Sequence, residues 1–113
     1  MNKATTKRLL SEVTKQVREL LGPKLKSVIL YGSYARGDYD NESDIDIMVL
    51  ADVGEKEIRE YQRGINRISS RVSLENDIHV SVFLNDKTTF EERLPILPYF
   101  RNVVTDGVVI YAL

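Results

Sequence analysis

The stretch GSYARGDYDNESDIDIMVL, residues 32–50, decides how this chain is read. Its second half, Asp44 to Leu50, alternates strictly, with Ile45, Ile47 and Val49 on one face and Asp44, Asp46 and Met48 on the other. A period of two is the mark of a β-strand with one buried face. Aspartate is disfavoured inside strands, so two of them at i and i+2, about 7 Å apart along the same face, call for an explanation. Hard oxygen ligands for a divalent cation provide one, because both carboxylates can converge on ions between them. The first half opens with Gly32-Ser33, directly after the apolar run Val28-Ile29-Leu30 of a strand spanning Lys26 to Tyr31. Glycine lets the backbone approach a phosphate closely, and a turn into a helix aims free N–H groups at it. Ser33 adds a hydroxyl donor. The polar residues from Gly32 to Ser43 read as a short helix followed by a loop.

Working outward, Leu9, Leu10, Val13, Val17, Leu20 and Leu21 recur at helical spacing until Gly22-Pro23 ends the run. Downstream, Ile58, Tyr61, Ile65, Ile68 and Val72 step by three and four, predicting a helix over about 55–73. Asp77 to Leu84 reads as a third strand, with Ile78, Val80, Val82 and Leu84 on one face and Asp77, His79 and Ser81 on the other. Pro98 opens a further helix to about Val104, and Gly107 leads into a last strand, Val108 to Tyr111. This order, αβ(α)βαβαβ, gives an α/β (α+β) fold with a four-stranded sheet packed against helices. The helices so placed are expected to cover one face, leaving the other open for a ligand.

With 113 residues the chain has the size of one domain, 1–113, with a single modest core. Sixteen basic against seventeen acidic residues leave a net charge of -1. Phosphate-contacting polymer binders carry a basic excess, so direct binding of a nucleic-acid polymer is not expected, whereas a single nucleotide is compatible with this balance. The absence of cysteine excludes disulfides, thiolate metal sites and a cysteine nucleophile. No stretch approaches the roughly 20 apolar residues of a membrane helix. No secretory h-region is visible either, so no membrane association and a cytoplasmic location are expected.

Asp77 stands at the head of its predicted strand. If that strand neighbours Asp44–Asp46, a third carboxylate joins the pair, and divalent cations would relieve the repulsion among the three. Such ions would also bridge the phosphates of an NTP and activate an acceptor oxygen.

Gly32-Ser33, ten residues, then Asp44-x-Asp46 resembles the signature of the DNA polymerase β-like nucleotidyltransferase superfamily. The longer pattern, Gly32-Ser-Tyr-Ala-Arg-Gly-Asp38 with Ser43-Asp-Ile-Asp46, is similar to its minimal nucleotidyltransferase (MNT) branch. Asp77-Ile-His79 resembles the third-carboxylate strand. The ending, Arg101-Asn102-Val103 and Asp106-Gly-Val-Val-Ile-Tyr111, is also like that of other MNT proteins. The resemblance implies the polymerase β-like fold with a mixed sheet, ATP as substrate and two Mg²⁺ ions. It also implies a HEPN-domain toxin as partner in a hetero-oligomer, as in MntA–HepT-type toxin–antitoxin systems, where AMP passes from ATP to a toxin tyrosine. Gly32 and Ser33 would then hold the triphosphate, and Arg36 would contact phosphate. Asp44 and Asp46 would hold both ions, and Asp77 would hold the catalytic ion and help draw the acceptor proton.

Other readings stand beside these. A small-molecule acceptor, as in antibiotic-modifying nucleotidyltransferases, is one alternative; an antitoxin acting by occlusion, with a decayed carboxylate set, is another. Asp77 follows Glu75-Asn76 and also suits a turn or cap, with Glu75 as the fallback carboxylate. Arg36 equally suits a surface ion pair, and His79 a hydrogen-bonded structural role or a nucleotide contact. Ser43 suits a turn that orients the Asp strand. Tyr31, Tyr34 and Tyr39 are expected to pack rather than to stack on a base. Arg59, Arg63, Arg67 and Arg71 lie opposite the apolar stripe of their helix, as a solvated face does.

Overall fold

A computed structural model describes residues 3–40 and 42–112. Four strands form one mixed sheet: β1 (Leu25–Tyr31), β2 (Ile45–Ala51), β3 (Val80–Asp86) and β4 (Val108–Ala112), in the order β3-β2-β1-β4. β1 pairs antiparallel with β2 and with β4, whereas β2 and β3 run parallel. A parallel pair requires a crossover, and helix α3 (Glu55–Asn76) supplies it.

Helices α1 (Lys3–Leu21) and α3 cover one face of the sheet. Leu9, Val13 and Val17 of α1 and Ile65, Ile68 and Val72 of α3 meet Val28, Leu30, Ile45, Ile47, Val49, Val80, Val82 and Leu84 of the sheet. The alternation in Asp44–Leu50 is therefore real, with its aliphatic parity turned into this core. Arg59, Arg63, Arg67 and Arg71 all face solvent, the Arg71 guanidinium donating to Gln16 Oε1 at 3.0 Å.

The second face differs from the sequence expectation. It is covered by α4 (Lys87–Arg93) and α5 (Pro98–Asp106), whose Phe90, Phe100 and Val103 pack on Ile29, Tyr31, Met48 and Leu50. Helix α4 escapes a periodicity search because it is seven residues long and buries only Phe90. Asp86 caps it, accepting hydrogen bonds from the Thr89 N–H and Oγ1, each at 3.0 Å. Met48 has no solvent exposure, so the face is closed along its middle, while the end that carries Asp44 and Asp46 stays accessible. Burial of these apolar side chains drives the closure.

A second departure lies before β3. Helix α3 runs on to Asn76, and the strand begins at Val80 rather than at residue 77. Helix α3 also protects β3, which is an edge strand. Gln62 Oε1 accepts from the Leu84 N–H at 3.0 Å, Ser73 Oγ accepts from the Val80 N–H at 2.9 Å, and Ser69 Oγ donates to the Val80 carbonyl. Unpaired edge groups invite association with another strand. Replacing Ser73 with alanine is expected to cost about 1 kcal/mol, and a thermal melt would read this as a drop of roughly 5 °C.

Candidate active site

The open end of the second face is assembled from the β1–α2 turn, the start of β2 and the start of β3. Strand β1 ends at Tyr31, the Cα partner of Asp46. Gly32 follows with φ 74° and ψ −157°, a backbone conformation that L side chains rarely adopt. A single helical turn, α2 (Ser33–Arg36), comes next, its first hydrogen bonds running from the Ala35 and Arg36 N–H groups to the Gly32 carbonyl. The N–H groups of Ser33 and Tyr34 thus head the turn, ahead of its internal bonding.

Gly32 has a second reason to be glycine. A Cβ there would stand 2.6 Å from Asp46 Oδ2. The Asp46 carboxylate therefore lies against the backbone of the Gly32-Ser33 turn, and the two halves of the 32–50 stretch form one site. The loop between them is held by its own side chains: the Asp40 N–H donates to Ser43 Oγ at 3.0 Å, and Asp40 Oδ1 accepts from the Glu42 N–H at 2.9 Å. Ser43 thereby locks the turn that delivers Asp44.

Asp46 is half-buried, and its carboxyl is raised above the ordinary value, first by burial and then by the Asp44 charge; His79 and Arg36 pull it back. Behind it, the Tyr31 hydroxyl is hydrogen-bonded to that of Tyr99, with the rings edge-on. Burial, the Tyr99 bond and the nearby Asp46 push the Tyr31 phenol far up, so this hydroxyl stays protonated. Tyr34 and Tyr39 stack on each other, centroids 4.2 Å apart. The Arg36 guanidinium is engaged by Asp38 at 3.1 Å and by Asp106 at 3.8 Å, and all three side chains are solvent-accessible. Solvent screens these pairs, so they hold the guanidinium only weakly.

Asp77 does not head a strand. It caps α3 with φ 51°, its N–H bonded to the Ser73 carbonyl, and its side chain is exposed. Short polar residues tolerate this left-handed position. No glycine stands there to end the helix, and Asp77 fills that role. The charges that shift Asp46 are those of Asp44, His79 and Arg36. The fallback, Glu75, is exposed on the last turn of α3. The residue brought beside Asp44 is His79. Its carbonyl accepts from the Ile45 N–H at 3.0 Å, extending the parallel pairing by one residue, and its Nδ1 lies 3.5 Å from Asp44 Oδ2. Ser81, the Cα partner of Asp46, places its Oγ 3.3 Å from the same nitrogen. The strand parity of His79 and Ser81 is visible in the sequence; that they, and not Asp77, face the carboxylate pair depends on the register.

The pair's hard carboxylate oxygens suit Mg²⁺, and a dication would offset the like charges that raise Asp46. Among the described residues no three His, Asp or Glu side chains already converge as a metal cluster. If Asp77 is only a cap, Asp77→Gly will leave nucleotidyl transfer unchanged. It will also hold or slightly raise the melting temperature, since glycine adopts φ near +50° without strain. Parallel melts and transfer assays check both.

The comparisons with known proteins agree with this geometry. The nucleotidyltransferase domain family model matches residues 10–111. A Methanocaldococcus jannaschii protein, named as an inferred protein adenylyltransferase, is 44% identical over 80 residues, which is 71% of this chain and 79% of that protein. The structure of a Sulfolobus solfataricus protein, named as an inferred nucleotidyltransferase, superposes with a TM-score of 0.58 at 24% identity, covering 99% of this chain and 89% of that one. A chain from the complex of a tri-AMPylated Shewanella oneidensis HEPN toxin with its MNT antitoxin does so with a TM-score of 0.53 at 22% identity, covering 94% and 71%. The two structural likenesses establish the fold, and the family match with the archaeal relative establishes the rest: this chain belongs to the nucleotidyltransferase domain family.

Proposed function

We propose that the chain is a protein adenylyltransferase that moves AMP from ATP to a tyrosine hydroxyl of a HEPN RNase toxin and thereby acts as its antitoxin. The observation that carries this is the seating of the Asp46 carboxylate against the Gly32-Ser33 turn, which supports a reading in which the acid would hold metal and the turn would hold phosphate. The M. jannaschii relative supports protein as the acceptor class, and the toxin complex supports AMP as the group moved.

In this reading Gly32 admits the triphosphate to the backbone, and the Ser33 N–H and hydroxyl donate to its oxygens. Arg36 leaves Asp38 and Asp106 for a phosphate. Asp44 and Asp46 hold the two Mg²⁺ ions, which when bound supply charge neutralisation on the triphosphate and on the departing pyrophosphate. The acceptor oxygen bonds to the α-phosphorus as the bond to the β-phosphate oxygen breaks, and pyrophosphate leaves with that electron pair. The tyrosine hydroxyl, with a pKa near 10, would release its proton to solvent water as this bond forms. Cytoplasmic action beside the toxin follows from the same reading; among the described residues no helix is long and apolar enough to cross a membrane.

One observation favours a second reading. Asp77 is the exposed cap of α3, ahead of β3, and a reduced carboxylate set is what an antitoxin acting by occlusion would carry. The two separate with α-³²P-ATP, Mg²⁺ and a purified HEPN-domain protein from the same genome. Label on the partner with wild type, absent with the Asp44→Ala, Asp46→Ala double variant, supports transfer. No label from any NTP, with tight complex formation and neutralisation that survives the double variant, replaces it with occlusion.

A further inference from the structure

The position beside Asp44 that would complete a three-ligand set belongs to His79, the only histidine in the chain. We propose that His79 Nδ1 is a third metal ligand with Asp44 and Asp46, and that the site therefore holds a first-row transition dication, Mn²⁺ foremost, in preference to Mg²⁺. The inference rests on the proposed function, because it takes the carboxylate pair to be a metal site.

Three observations support it. The register fixes His79 and Asp44 side by side on the open face, since the Ile45 N–H bonds to the His79 carbonyl and Asp46 is paired with Ser81. The spacing is right for a shared ion. Two donors bound side by side to one dication at about 2.1 Å stand about 3 Å apart, and His79 Nδ1 is 3.5 Å from Asp44 Oδ2. A direct charge-assisted hydrogen bond would draw the two to about 2.8 Å. Third, both side chains are largely solvent-accessible, 66% for His79 and 53% for Asp44, so they turn toward an ion at little steric cost. The Ser81 hydroxyl, 3.3 Å from the same nitrogen, gives up that contact when the ion binds.

The chemistry of the third donor then sets metal choice. Carboxylates alone suit Mg²⁺, whereas imidazole favours transition metals. Mn²⁺ combines affinity for nitrogen with the octahedral oxygen chemistry that a triphosphate needs. A carboxylate at this place would erase the distinction.

The test uses the full chain and the metal alone, without nucleotide. Mn²⁺ binding is followed by EPR, with Mg²⁺ as competitor, and pulsed EPR reads nitrogen coupling to the ion; a single histidine makes any imidazole coupling assignable. Wild type is expected to show that coupling and to bind Mn²⁺ more tightly than Mg²⁺. His79→Ala should lose the coupling and weaken Mn²⁺ about tenfold, and His79→Asp should lose it while improving Mg²⁺ competition about tenfold. Circular dichroism checks that each variant is folded. Mn²⁺ that binds through the carboxylate pair without nitrogen coupling, and with unchanged affinity in His79→Ala, overturns the role of His79 and leaves the proposed function standing. No Mn²⁺ binding, or binding that survives in the Asp44→Asn, Asp46→Asn double variant, overturns the metal site itself and His79 with it.

Discussion

Asp46→Asn should abolish nucleotidyl transfer, by about a thousandfold or more, while making the metal-free protein more stable. The loss follows from removing one of the two carboxylates that, in the proposed function, would hold the metal ions. Their charge stabilisation accounts for several kcal/mol of barrier, and about 4 kcal/mol corresponds to roughly a thousandfold in rate. The gain has a separate origin. Asp46 is half-buried beside Asp44, and both burial and that like charge raise its carboxyl, which means the folded state disfavours the ionised form. A neutral, nearly isosteric amide removes this cost at neutral pH. Local cost retained at a functional site is the usual trade between stability and activity. The measurement is a pair of thermal melts in chelator, with α-³²P-ATP transfer run alongside. Adding Mg²⁺ or Mn²⁺ should raise the wild-type melting temperature, by mass action on the folded state, and leave the variant's nearly unmoved. A variant that melts lower than wild type in chelator would show that Asp46 is a structural anchor rather than a held charge.

Gly32→Ala should damage both stability and activity. At φ 74° and ψ −157° a side chain is strained by about 1–3 kcal/mol, and the new methyl group would meet Asp46 Oδ2 at 2.6 Å. Either Asp46 rotates away from the turn or the turn moves away from Asp46; both separate the acid from the backbone that the proposed function needs together. A misplacement of about 1 Å costs on the order of a hundredfold in rate. A fall in melting temperature of roughly 5–15 °C is expected with it. Gly37→Ala is the internal control. Gly37 also has a positive φ, 82°, yet an added Cβ would meet nothing within 4 Å. It should lose stability through strain alone and keep most of its activity. Equal activity losses in the two variants would show that strain, not crowding of Asp46, dominates.

Much of the fold and of the site is legible in the residues themselves. Helix α1, helix α3 and strands β1 and β2 fall close to where periodicity puts them, because each buries a continuous apolar stripe of matching period. Gly32 and Asp46 come together as their spacing implies, since a strand, a tight turn and an antiparallel return leave them little choice. The most specific motif of the family resemblance lies in this same local segment.

Other features depend on contacts between distant parts of the chain. Helix α4 has too few turns to show a period, and it exists because Phe90 joins Phe100 over Met48 and Leu50. By parity Asp77 reads as a strand head, but parity is silent on where a helix stops, and its left-handed cap turns it out of the sheet. The partner of Asp44 is equally hidden. In a parallel pair joined by a 22-residue helix, register is set by how that helix packs, and this packing selects His79. Sequence by itself determined the local chemistry of the 32–50 segment, where neighbours along the chain are neighbours in space. Tertiary structure alone decided what closes over that segment and which third side chain faces its carboxylates, because burial and register are properties of the assembled sheet.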